Sequence, residues 1–175
     1  RAANWTVKID SLLNAGKLFQ QFGMTEMRLW SNYLAAHLIH YQLNDYSITF
    51  SMTGEILAEL SNTRFPLIEL ATLQLKSAAL VGLRRSGALN AVSTEADPVQ
   101  SVLARINLLA ASMDYRLEQA LALNASGREY VSGGYYQQAL EQFEQAVKIA
   151  DSLNDGELAT SIRESIVKIY AIEGD

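Results

Sequence analysis

The 175 residues carry a net charge of −5, two prolines, no cysteine and 49% hydrophobic side chains, which is enough apolar material for a core that stands without disulfides. The lack of cysteine excludes a disulfide framework, a thiolate metal site and a cysteine nucleophile. Acids and bases are interspersed and the only adjacent basic pair is Arg84-Arg85, so the charge balance argues against a nucleic-acid backbone and suits a basic or zwitterionic protein segment.

Eight helices are expected. The first covers 5–22, with Asn4 as its cap, Gly23 closing it, and Val7, Leu12, Phe19 and Phe22 as core candidates. The second covers 25–43, capped by Thr25, and stops at Asn44-Asp45-Tyr46, a turn that leads into a third helix over 47–61. Pro66 and Pro98 each open a helix, because the missing donor of proline costs nothing in a first turn; these run over 66–86 and 98–112. Between them, 87–97 (GALNAVSTEAD) is the one stretch that reads as a real loop, either a solvated connector or a partner-contacting lid. Met113-Asp114-Tyr115 turns the chain into a helix ending at Gly133, and a helix over 135–153 follows. Leu153-Asn154-Asp155-Gly156 turns it again, with Asp155 capping a last helix over 157–173.

The longest uninterrupted apolar run, near 78–83, falls far short of the roughly 20 residues that span a membrane, so a soluble segment, cytoplasmic or periplasmic, is expected. The chain opens at Arg1 without a methionine or a charged-then-apolar leader, and its last helix has no second helix to cover it. Both features give the expectation of a piece of a longer protein.

The most informative segment is 127–146, GREYVSGGYYQQALEQFEQA. Ala139, Leu140, Phe143, Ala146, Val147 and Ala150 recur at helical spacing and form one apolar stripe, while Gln138, Glu141, Glu144 and Lys148 point away. Small residues at Gly127, Ala139 and Ala146 let two backbones approach, Phe143 and Tyr130 fill the space between neighbours, and Gly133-Gly134 supplies a sharp reversal. Stripe, glycine turn and preceding Gly-x2-Tyr in register resemble one tetratricopeptide repeat, of the longer variety found in bacterial regulatory and signalling proteins. Helix starts near Thr25, Pro66, Asp114 and Asp155 give a period of about 40 residues, and Glu69-Leu70-Ala71-Thr72 recurs as Glu157-Leu158-Ala159-Thr160. The resemblance implies a single all-α domain over 1–175, an α-solenoid in which antiparallel helix pairs stack into a right-handed superhelix. Its repeats would be 25–62, 66–112, 114–153 and an incomplete 155–175, after an N-terminal helix within 1–24.

Catalytic chemistry finds little to stand on. His37 and His40 are the only histidines and share a helix face, but a metal would need a third ligand such as Asp45 or Glu69, and packing is the ordinary role of such a pair. No glycine-flanked serine sits on a strand-turn-helix, no glycine-rich phosphate cradle follows a strand, and the carboxylates are scattered singly, so no catalytic, metal or cofactor residue is assigned. The resemblance implies recognition instead. It places Asn124, Arg128, Ser132, Glu164 and Lys168 on the concave side, where Asn124, Arg128 and Lys168 would bond the backbone or a carboxylate of a bound peptide. The expected function is a non-enzymatic scaffold for a peptide or helix of another protein. The alternatives are a sensory or regulatory module of a bacterial signalling or transcription protein whose output domain lies elsewhere, and self-association through the terminal helix.

Overall fold

A computed structural model describes residues 2–61, 63, 65–93 and 97–173, and these residues are all-helical, with no strand among them. The chain divides into two compact units, Arg1–Pro98 and Val99–Asp175.

In the first unit, α1 (Ala2–Gln21), α2 (Thr25–Leu38), α3 (Tyr46–Leu60) and α4 (Pro66–Arg85) each pack against the next, and α2 also meets α4. Leu29, Ala36, Ile56, Ile68, Leu73 and Leu80 are almost wholly buried, and Ile9, Ala35 and Ile39 join α1 to the end of α2. Three threonines lie inside this helical packing, Thr49, Thr53 and Thr72. Each satisfies its hydroxyl on its own helix: Thr49 Oγ1 donates to Asp45 O at 2.7 Å, Thr53 to Thr49 O at 2.9 Å and Thr72 to Ile68 O at 2.7 Å. Arg28 on α2 forks onto Glu59 on α3, donating from Nη1 to Oε1 at 2.9 Å and pairing through Nη2 with Oε2. The carboxylate holds the Arg28 guanidinium above its ordinary pKa, against a smaller opposing effect of burial.

The second helix does not run straight through to residue 43. Ile39–Leu43 forms a π-helical turn, in which the Asn44 N–H reaches back five residues to Ile39 O. After it, Asp45 caps α3 by accepting from the Ile48 N–H at 3.0 Å.

The second unit holds α6 (Pro98–Ser112), α7 (Arg116–Ser132), α8 (Tyr136–Ser152) and α9 (Gly156–Glu173). Its core is Leu123 of α7, the stripe Ala139, Leu140, Phe143 and Ala146 of α8, and Ile162 and Ile169 of α9. The α8 stripe is as its spacing requires: Ala150 is also buried, Val147 is half-buried, and Gln138, Glu141, Glu144 and Lys148 are exposed. Asp155 caps α9, accepting from the Leu158 N–H at 3.0 Å.

One device ends most of these helices. A residue with positive φ follows the last turn, and the next N–H returns to a carbonyl five residues back: Met24 to Phe19 at 2.9 Å, Ala88 to Leu83 at 2.9 Å, Tyr115 to Ala110 at 2.8 Å, Tyr135 to Tyr130 at 2.9 Å and Asp155 to Ala150 at 3.0 Å. The positive-φ residues are Gly23, Gly87, Asp114, Gly134 and Asn154, types that tolerate the left-handed region. Of the Gly133-Gly134 pair only Gly134 needs this freedom, at φ 77°.

Several expectations are corrected. Asn4 lies inside α1 and is exposed, and α2 begins after Met24 without a side-chain cap, so Thr25 does not cap it. Val7 and Phe22 are 63% and 76% exposed, because α1 turns Ile9 inward, with Leu12 and Leu13 against the same cluster. The stretch 87–97 contains a helical turn, α5 (Leu89–Val92), ended by extended Ser93; residues 94–96 lie outside the described residues. The recurring Glu-Leu-Ala-Thr string occupies different registers. It starts three residues after Pro66 opens α4 and one after Gly156 opens α9, a shift of two that turns the string through more than half a helical turn. Thr72 is buried accordingly and Thr160 exposed.

Candidate functional site

Two grooves, one in each unit, each hold a polar group that the packing leaves unused. Among the described residues, three buried side-chain atoms have no hydrogen-bond partner: His40 Nδ1, Asn107 Oδ1 and Asn124 Oδ1. Each such atom costs about 1–3 kcal/mol if it stays unpaired, so its position is informative. His40 lines the groove of the first unit and Asn107 that of the second.

The second-unit groove has a volume of about 460 Å³ and runs between α6 and α7, with Gln142 of α8 at its edge. Leu103, Ala104, Leu108, Ala122 and Leu123 supply apolar walls. Gln100 and Ser126 are locked to each other: Ser126 Oγ donates to Gln100 Oε1 at 2.6 Å, and Gln100 Nε2 donates to Ser126 O at 3.0 Å. Asn107 has no such lock on its oxygen and sits with Tyr130 and Gln142 around the groove. Amides and a phenol in an apolar trough offer donors and acceptors together, which is what a peptide backbone presents in return.

Five residues were expected to line a concave surface: Asn124, Arg128, Ser132, Glu164 and Lys168. None of them lines either groove. Asn124 is half-buried on α7, two residues from Ser126 and so on a different face of the helix; its amide oxygen is the third unpartnered atom. Arg128, Glu164 and Lys168 are exposed. Ser132 is exposed too, its hydroxyl returned to Arg128 O at 3.0 Å. Asn107 lies on the helix opened by Pro98, for which the sequence offered bounds but no candidate contact. An asparagine midway along an apolar helix was the available signal.

The first-unit groove, about 520 Å³, follows the π-helical turn. His40 and Tyr41 from the turn, Tyr46 from the start of α3, and Ala78, Val81, Gly82, Arg85 and Ser86 from α4 and its end surround it. An aromatic ladder leads to it along one side of α2: Trp30 to Tyr33 at 5.6 Å between centroids, Tyr33 to His37 at 6.0 Å, His37 to Tyr41 at 4.6 Å, with His40 at 4.5 Å from Tyr41 and 5.2 Å from Tyr46. Burial lowers the His40 pKa below its usual 6.5, and the neighbouring His37 adds to this, so the ring is neutral at physiological pH. Burial conversely raises the Tyr33 phenol, helped by Tyr41. His37 and His40 thus share an aromatic stack. Among the described residues no group of three or more His, Asp or Glu side chains gathers as a metal would require.

No family model and no curated protein matches this chain.

Length and composition also single out α4. Its 20 residues include a window of mean hydropathy 1.2, long and apolar enough to cross a membrane, but half of that window is buried within the protein. A core helix passes the same test.

Proposed function

We propose that this chain is a non-enzymatic binding scaffold of the tetratricopeptide type, a right-handed stack of helix pairs that holds an extended segment of a partner protein in the α6–α7 groove. The observation that carries the reading is Asn107 Oδ1, buried and unpartnered in an apolar trough beside Tyr130 and Gln142. A peptide laid along the trough would give this oxygen a backbone N–H and would accept from the amide and phenol groups, recovering a desolvation cost already present in the free protein. The locked Gln100–Ser126 pair helps to keep the trough in shape before binding, which reduces the ordering that the complex requires. The exposed set Arg128, Glu164 and Lys168 would then contribute steering charge rather than the anchoring bonds.

Selection from a random peptide library, followed by binding of the enriched peptide to variants, tests this. Loss with Asn107→Ala and retention by the Arg128→Glu, Lys168→Glu double variant supports the groove. The reverse pattern moves the partner to the exposed charged face, and a library that yields no binder defeats the scaffold reading.

A further inference from the structure

The groove at the π-helical turn has the makings of a second site, independent of the peptide trough, and its chemistry is different. We infer that it binds a small organic acid with a flat apolar body, an aromatic carboxylate.

Three features carry this. The first is shape: the walls are rings and short aliphatic chains around a volume of about 520 Å³, within the range that holds a small molecule. The close approach of Tyr46 to α4 helps to make that shape, because a Cβ on Gly82 would fall 2.6 Å from Tyr46 Cγ; only a glycine lets the ring lie on the helix. The second is charge. Arg85 is the one charged residue lining the groove, it is exposed, and among the described residues no acidic side chain pairs with it, whereas its neighbour Arg84 is engaged with Asp97 at 3.3 Å. A planar guanidinium that no described acid engages is a ready bidentate donor for a carboxylate.

The third is the backbone. Winding residues 39–43 as a π-helix departs from the ordinary α-helix, and such turns recur at functional sites. Here the turn presents His40 and Tyr41 together at the groove and leaves His40 Nδ1 buried and unbonded. A flat ligand would stack on Tyr41 or Tyr46, direct its carboxylate to Arg85, and offer the histidine ring a polar neighbour. An organic cation is disfavoured by Arg85, and a neutral hydrocarbon would leave the guanidinium unused.

Benzoate is the probe, titrated into the whole chain while the NMR signals of the His40 Cε1–H and the Arg85 Nε–H are followed. Both signals shift saturably if the inference holds. Acetate, which has the charge without the ring, and benzyl alcohol, which has the ring without the charge, then bind at least about tenfold more weakly. Arg85→Gln, an exposed change that leaves the core alone, weakens benzoate by about tenfold, as expected for a lost charge-assisted contact. Gly82→Ala, which displaces Tyr46, abolishes the shifts at His40. No saturable shift, acetate equal to benzoate, or unchanged affinity in Arg85→Gln each overturns the inference.

Discussion

The ring of Phe143 rests on the bare backbone of Gly127: a Cβ built on that glycine would lie 2.6 Å from Phe143 Cε1 and 2.7 Å from Cδ1. Phe143 is wholly buried, so the ring has no free space to retreat into. The distance between α7 and α8 is therefore set by a bare glycine on one helix and the largest fully buried side chain on the other.

Gly127→Ala is expected to destabilise the second unit by roughly 1–2 kcal/mol. Overpacking costs about 1–3 kcal/mol, and alanine returns up to about 1 kcal/mol of helix propensity. Phe143→Ala is expected to cost about 3–5 kcal/mol through the cavity it leaves. Urea denaturation followed by circular dichroism gives both numbers. The double variant should fall short of the sum, since the second change removes the clash made by the first.

Helix ends give a second test. Gly134 has φ 77°, so Gly134→Ala is expected to lose about 1–2 kcal/mol through left-handed strain. Asp114 holds the same conformation at φ 55°, and Asp114→Gly should gain up to about 1 kcal/mol. Opposite shifts in denaturation midpoint from these two changes are the expected result.

At the start of α9, Asp155→Ala removes the acceptor for the Leu158 N–H and is expected to cost about 1 kcal/mol, whereas Asp155→Asn stays close to the native protein. Thr25→Ala, at a helix start without a side-chain cap, should change stability by less than about 0.5 kcal/mol. Thermal melts of the three variants check the contrast.

The His40 pKa is lowered on folding, chiefly by burial and then by His37. Below the unfolded value of 6.5 the unfolded chain binds a proton that the folded one resists. Stability from this group is thus complete above pH 6.5 and is lost as the pH falls through the depressed folded value. Denaturation midpoints measured from neutral pH downward should fall more steeply in the native protein than in His40→Gln.

How much of this was legible in the residues differs from feature to feature. The α8 stripe, the Asp155 cap and the turns at Gly23, Asp114, Gly134 and Asn154 were readable, because they depend on side chains within one or two helical turns of each other. The π-helical turn at Ile39–Leu43 left no such mark: Ile-His-Tyr-Gln-Leu reads equally well as α-helix. The inward face of α1 was legible only in part for the same kind of reason: Leu12 packs inward as expected, whereas Val7 does not. The α1 apolar residues Val7, Ile9, Leu12, Leu13, Leu18 and Phe19 are spread around the helix, and only contact with α2 selects Ile9, Leu12 and Leu13.

By itself the sequence determined that the chain is helical, where most helices begin and end, and which side of α8 is buried, since helical period, glycine and asparagine turns and acidic caps act over a few residues. Only the tertiary structure decided which polar groups are stranded in grooves. Asn107 and His40 are ordinary residues in ordinary helical text, and become candidate contacts because the helices that form their grooves supply no hydrogen bond to them.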